Sequence, residues 1–214
     1  VVTAKGEDSD LQALQAATAD RGVVLGQLFE DHRARLKRMV DLRMDQALRA
    51  RVGASDVVQE TYVEVSARLG TYLDDPRMPF FLWLRLLTAQ KLVDLYRHHV
   101  GTQKRDPRRQ VPINRGAFPG ASSVVMANEL LGSLTTPSGA AVRDEMRIQV
   151  QAGLDRMNET DREVLMMRHF EQLSNTETAL ELGIAESAAS KRYLRALQRL
   201  RALLQAAGAS GADA

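Results

Sequence analysis

From Val23 onward the apolar residues of this chain recur at helical intervals. Leu25, Leu28, Phe29, Leu36, Met39, Val40 and Leu48 are spaced this way among many arginines, which predicts one long amphipathic helix. Gly53 interrupts it. The next segment, DVVQETYVEVSARLG, opens at Ala54 or Ser55 and closes at Gly70. Its stripe of Val57, Val58, Thr61, Tyr62, Val65 and Leu69 leaves Asp56, Gln59, Glu60, Glu64 and Arg68 outside. The β-branched residues could suggest a strand, but the apolar set does not alternate with period two, so helix is preferred. Two prolines and paired aspartates make Thr71 to Pro79 a loop. A strongly apolar helix follows, PFFLWLRLLTAQKLVDLYRHH. Phe80, Phe81, Trp83, Leu84, Leu87, Leu92 and Leu95 are too many for one stripe, so its early part should be buried on several sides.

The pattern then breaks. Pro107, Pro112, Pro119 and Pro137, with Gly116, Gly120 and Gly132, mark a linker in which only SVVMANELLGSL suits a short helix. Thr136 and Pro137 read as an N-cap and first helical position for a helix through Met146, Val150 and Leu154. Asn158 and Asp161 offer a second cap, for a helix through Val164, Leu165, Met167 and Phe170. The most organised stretch is Ser174 to Leu204. Ser174 and Glu177 have capping-box spacing, and Gly183 suits the left-handed end of a short helix. A second helix begins near Ser187, with Ala189, Tyr193, Ala196, Leu197, Leu200, Leu203 and Leu204 on one stripe. The fold class expected is all-α: two small helical bundles joined by a long flexible linker.

Composition narrows this picture. With 214 residues, two small domains each have a modest core, and the absence of cysteine excludes a disulfide framework and thiolate zinc sites. No apolar run approaches a membrane span, and Val1 to Asp20 lacks the basic start and hydrophobic centre of a signal peptide. A soluble, cytoplasmic protein with no membrane insertion is expected. The first twenty residues read as a loose tail with at most one short helix from Asp10. Net charge is only +2, but acids crowd this tail while cations crowd Arg97 to Arg109 and the last helix.

That last helix carries Ser187, Ser190, Lys191, Arg195 and Gln198 opposite its apolar stripe, flanked by Arg192 and Arg199. A short helix, a glycine turn and a basic second helix suit the DNA major groove, where purine edges accept from Arg and Lys. Leu194 stands on the polar face, where an apolar side chain has use against a thymine methyl. Other features read as structural. Trp83 among Phe81, Leu84 and Leu87 is core before it is a stacking wedge. Asp74 and Asp75 belong to a turn, and adjacent His98 and His99 diverge on a helix and make poor joint ligands. No catalytic, metal or cofactor constellation emerges, so the chain reads as a non-enzyme.

Four stretches carry a family resemblance: SDVVQETYVEV at Ser55 to Val65, FLWLRLLTAQKLVD at Phe81 to Asp94, DREVLMMRHFEQLSNTETALELGI at Asp161 to Ile184, and ESAASKRYLRALQRLR at Glu186 to Arg201. In this order, with a Pro-rich linker between the second and third, the chain resembles a bacterial extracytoplasmic-function sigma factor of the sigma-70 family. The resemblance implies a loose tail over 1–20, sigma region two over 21–105, a linker over 106–136, region four over 137–206, and a disordered tail over 207–214. It implies binding to the RNA polymerase core, at its clamp coiled coil and flap, and to promoter DNA.

Residue by residue, the resemblance assigns Asp56, Gln59 and Glu60 to core binding. It assigns Leu73, Asp74, Asp75, Arg77, Gln90, Lys91 and Arg97 to the melted minus-ten element, with Gln90 standing where relatives often have asparagine. Ser190, Lys191, Arg192, Leu194 and Arg195 would read the duplex minus-thirty-five element. Relatives often have serine where this chain has Ala185, so either Ser187 caps a shorter helix or Glu186 stabilises the first turn through the dipole. The acids that commonly precede VVQET are here Gly53, Ala54 and Ser55. A phosphate on Ser55 or Thr61 would restore that charge. The linker words ASS, LLGS and TTPS resemble factors found with protein kinases, so an anti-sigma factor or a Ser/Thr kinase is the regulator expected. The basic run Lys104, Arg105, Arg108 and Arg109 would suit the RNA exit path. The competing class is a stand-alone helix-turn-helix regulator binding duplex DNA as a dimer.

Overall fold

The computed structural model describes residues 7–99, 122–132 and 140–210, and among them every regular element is a helix. The chain divides into two compact units, Val1–Pro119 and Gly120–Ala214. The basic run at Lys104 to Arg109 and the Thr136–Pro137 cap lie outside the described residues.

In the first unit, helices α1 (Glu7–Ala16), α2 (Arg21–Arg43), α3 (Gln46–Arg49) and α4 (Ala54–Asp74) accompany α5 (Phe80–His99). Every side chain from Phe80 to Arg85 is buried, as the excess of apolar residues in α5 predicts. The long helix expected from Val23 to Gly53 is broken at Met44, whose backbone is extended. Asp45 caps α3 by accepting from the Leu48 N–H at 2.9 Å. Tyr96 from α5 fills the break: its hydroxyl accepts from the Asp45 N–H at 2.7 Å and donates to the Arg43 carbonyl at 3.1 Å. Backbone groups freed by the break are thus satisfied by one side chain.

Two further expectations change. The N-terminal segment holds a docked helix, since Leu14 is fully buried and Asp10 pairs with His32 of α2. Gly70 does not end α4, which runs on to Asp74. The buried series Val65, Leu69, Tyr72 continues past the glycine, and Tyr72 stacks on Trp83 with ring centroids 4.3 Å apart. Leu73 and Asp74 therefore lie on the last helical turn, and the loop is confined to 75–79.

The second unit contains α6 (Ser123–Gly132), α7 (Ala140–Arg156), α8 (Glu159–Leu165), α9 (Asn175–Leu182) and α10 (Glu186–Ser210). The short helix expected inside the linker is α6. It packs on α7, with Met126 and Ala127 fully buried and the Ser123 hydroxyl 2.5 Å from Asp155 Oδ1. Arg162 reaches back to close α7, its Nη1 donating to the carbonyls of Leu154 and Met157 at 3.2 and 3.3 Å. Asn158 caps α8 as its sequence position predicts, accepting from the Asp161 N–H at 2.8 Å. α8 then widens into a π turn, Met166–Phe170, which brings Met166, Met167 and Phe170 all to the interior.

Glycine within α4 supplies a direct test. Gly70 is helical and exposed, and a β-carbon there would meet nothing within 4 Å. Gly70→Ala should raise unfolding free energy by about 1 kcal/mol in chemical denaturation.

Candidate nucleic-acid interface

Local chemistry holds α9 and α10 at a fixed angle. Ser174 Oγ accepts from the Glu177 N–H at 3.0 Å, and Glu177 Oε2 accepts from the Ser174 N–H at 2.5 Å, completing the capping box. Gly183 takes φ +62°. Around it, Ile184 N–H donates to the Ala179 carbonyl at 3.0 Å and Gly183 N–H to the Leu180 carbonyl at 3.2 Å, the paired bonds of a Schellman end. Asn175 Nδ2 donates to the Glu186 carbonyl at 3.0 Å and ties the start of one helix to the start of the next. α10 begins at Glu186, which resolves the two starts left open: Glu186 lies in the first turn, and the Ala185 carbonyl accepts from Ala188 and Ala189.

On α10, Ala189, Ala196 and Leu200 are buried, while Ser190, Lys191, Leu194 and Arg195 are exposed and Arg192 is half-buried. Leu194 is 55% exposed, an apolar side chain standing among cations. Among the described residues neither Lys191 nor Arg195 pairs with an acid. Arg199 differs. Its guanidinium engages buried Asp161, which also accepts from Asn158 Nδ2 at 3.0 Å, so Arg199 fastens α10 to the start of α8. Arg168 is likewise engaged, donating to the Leu173 carbonyl at 2.5 Å with its guanidinium carbon 5.3 Å from the Tyr193 ring centre.

The first unit presents a different surface. Where α4 meets α5, Arg68, Thr71, Tyr72, Asp75, Arg77, Met78 and Trp83 line an open cavity of about 540 Å³. Tyr72 and Trp83 are near-parallel, at 14°. The Tyr72 hydroxyl donates to the Met78 carbonyl at 2.9 Å and secures the loop, and Arg77 Nε lies 2.6 Å from Asp75 Oδ2 at the rim. Trp83 is 9% exposed, so the core reading holds, yet its ring still forms part of the wall. Of the seven minus-ten candidates, Asp75 and Arg77 line this cavity. Leu73 and Asp74 sit beside it on α4, while Gln90, Lys91 and Arg97 lie further along α5.

Asp56, Gln59 and Glu60 form an exposed stripe on α4. Asp56 Oδ2 also accepts from the Gly53 N–H at 3.3 Å and so caps the helix. Lys91 Nζ lies 2.6 Å from Glu60 Oε2, which joins two residues that the resemblance assigns to separate surfaces. Arg97 is 3.6 Å from Asp94 on its own helix. Thr61 is excluded as a phosphorylation site: it is 0% exposed and its hydroxyl donates to the Val57 carbonyl at 2.8 Å. Ser55 is exposed in the first turn of α4.

Comparison with known proteins adds to this geometry. The family described as Sigma-70, region 4 matches residues 147–200, from α7 through the exposed face of α10. The extracytoplasmic-function RNA polymerase sigma factor SigD of Mycobacterium tuberculosis is 29% identical over 214 residues, covering 97% of this chain and 89% of its own. Over nearly its whole length this chain is thus similar to an extracytoplasmic-function sigma factor, and over residues 147–200 to region 4 of the sigma-70 family. The sigma factor CnrH of Cupriavidus metallidurans is 28% identical over 94% of this chain and 96% of its own. The solved complex of CnrH with the cytosolic domain of CnrY shares the fold at a TM-score of 0.50 and 23% identity, covering 94% of this chain and 97% of that one.

Two contributions to the surface of the first unit escape a reading by periodicity. Tyr72 and Met78 are cavity walls only because α4 outruns Gly70, although the 65, 69, 72 spacing signals the continuation. Val63 is 68% exposed and extends the Asp56, Gln59, Glu60 stripe by one turn; an apolar residue in register with that stripe is the available signal. Arg68, which its spacing already places outside, pairs with Glu64 at 2.6 Å and faces the cavity.

The loop's anchor makes a pH-dependent prediction. Burial, with the Asp10 charge second, pushes the Tyr72 phenol up to about 12. The neutral phenol is the form that donates to Met78, so this stabilisation is complete below the ordinary tyrosine value near 10 and is lost as pH rises towards 12. Ultraviolet difference titration of the full chain against Tyr72→Phe should resolve one phenol ionising near 12.

Proposed function

We propose that this factor binds the RNA polymerase core and directs promoter-specific transcription initiation, reading duplex minus-thirty-five DNA with α10 and the melted minus-ten strand with the loop after α4. The carrying observation is the pairing of two unlike surfaces in one chain. An outward helix with Lys191, Arg195 and Leu194 fits the edges of stacked base pairs. An aromatic-walled cavity rimmed by Arg68 and Arg77 fits an unstacked base with its flanking phosphates. The α4 stripe of Asp56, Gln59, Glu60 and Val63 is the core-binding face, acidic and amide groups meeting a basic partner around one apolar contact. Lys91 holds Glu60 of this face through their ion pair. The same activity places the protein in the cytoplasm, and among the described residues no helix is long and apolar enough to cross a membrane.

Run-off transcription with purified core and a genomic promoter library tests this reading, and the absence of core-dependent start sites would overturn it. Two arginine variants separate reading from folding. Arg195→Ala should weaken minus-thirty-five binding by about 1–3 kcal/mol in the holoenzyme with little change in stability. Arg199→Ala should instead lower stability by about 1–3 kcal/mol, because it deprives buried Asp161 of a partner.

Regulation by an anti-sigma factor or a Ser/Thr kinase belongs to the same reading, with Ser55 as the modification site. A phosphate there would join Asp56 at the positive end of α4 and add charge to the core-binding face. Ser55→Glu should bind core more tightly than Ser55→Ala in a titration with labelled core. Equal affinities would remove the switch.

A further inference from the structure

A shielded polar contact joins α1 to α2 in the first unit, beside the Arg35 guanidinium, whose carbon lies 3.5 Å from the Phe81 ring centre. Asp10 Oδ2 of α1 is 2.8 Å from His32 Nε2 of α2, and both side chains are largely shielded, at 15% and 16% exposed. The imidazole faces α5, its ring centre 5.1 Å from that of Phe81 and 6.2 Å from that of Phe80. Phe80 is in turn 6.0 Å from both Tyr72 and Trp83, the stacked pair that walls the cavity. A continuous run of side chains therefore leads from α1 to the cavity. The Asp10 charge also reaches the Tyr72 phenol directly.

A helix that merely covered apolar surface would need Leu14, which is fully buried one turn further on, and nothing more. The shielded Asp10–His32 hydrogen bond constrains direction as well as distance, so it fixes how α1 sits against α2 and the aromatic cluster. Asp10 and His32 do not line the cavity. Their reach is through Phe80 and Phe81.

We propose that α1 is a positioning element of the minus-ten site, in which the Asp10–His32 pair sets the Phe80 and Phe81 rings against which Tyr72 and Trp83 hold the cavity for a base of the melted strand. This rests on reading the cavity as the single-strand site. α1 then serves promoter recognition through the cavity it supports.

Trp83 is the only tryptophan in the chain, so its emission in the free protein reports on the cavity wall. The DNA probe is a labelled non-template oligonucleotide spanning the minus-ten element of a promoter recovered by run-off transcription, bound to holoenzyme. Asp10→Asn should shift Trp83 emission and weaken oligonucleotide binding by about threefold to tenfold, while core affinity stays unchanged. Asp10→Glu, which keeps the charge, should recover most of the loss. Unchanged emission and oligonucleotide affinity in Asp10→Asn would overturn the proposal, as would an equal loss of core binding, which would make α1 a general support. If Tyr72→Ala leaves oligonucleotide binding intact, the cavity reading itself fails and the proposal falls with it.

Discussion

Burial of the first turns of α5 on every side is the constraint from which the first unit follows. A helix whose successive residues from Phe80 to Arg85 are all shielded cannot rest on one neighbour, so α1, α2 and α4 must all approach it. Closing α1 over this seam draws a segment of acidic, unpromising composition into the fold. Carrying Tyr72 onto Trp83 extends α4 past its glycine, and the short loop left over has little freedom. Stacked aromatic pairs of this kind contribute about 0.5–1.5 kcal/mol beyond their buried area, and here the contact also shapes a cavity wall.

The second unit solves a different problem, the sorting of cations along one helix. α10 presents arginines and a lysine at several angles, and their roles divide by what lies opposite. Arg199 meets a buried carboxylate and becomes a strut, whereas Lys191 and Arg195 meet no acid among the described residues and leave their charge exposed. Glu60 and Lys91 show the same sorting in the first unit, where an outward acid and an outward base neutralise each other across two helices. Formal charge along a helix therefore overstates what its surface offers to DNA or to polymerase.

Features set by near neighbours along the chain are legible in its residues alone. The Ser174–Glu177 box, the Gly183 turn, the Asn158 cap and the all-round burial of α5 depend on residues a few positions apart, and each stands where its spacing places it. Features set by distant residues are not. The break at Met44 depends on the Tyr96 hydroxyl, which lies 51 residues beyond Asp45. Arg199 finds Asp161 across 38 residues. Gly70 reads as a stop because glycine is the commonest helix terminator, but the stack that carries α4 through it involves a residue on the next helix. The exposed basic face of α10, carried on one helix, is readable almost whole. The aromatic-walled cavity, assembled from α4, a loop and α5, is readable only at its rim.

The π turn at Met166–Phe170 bears on how insertions and deletions can accumulate in this chain. A π turn accommodates one residue more than the α-helical path it interrupts. Removing that residue would leave an ordinary α turn that delivers the following residues at nearly the same angle around the axis of α8. The wider turn therefore takes up one residue of length without re-aiming α9 and α10. A single insertion or deletion can be absorbed there, whereas the same change inside a regular α-helix would rotate everything beyond it by about 100°.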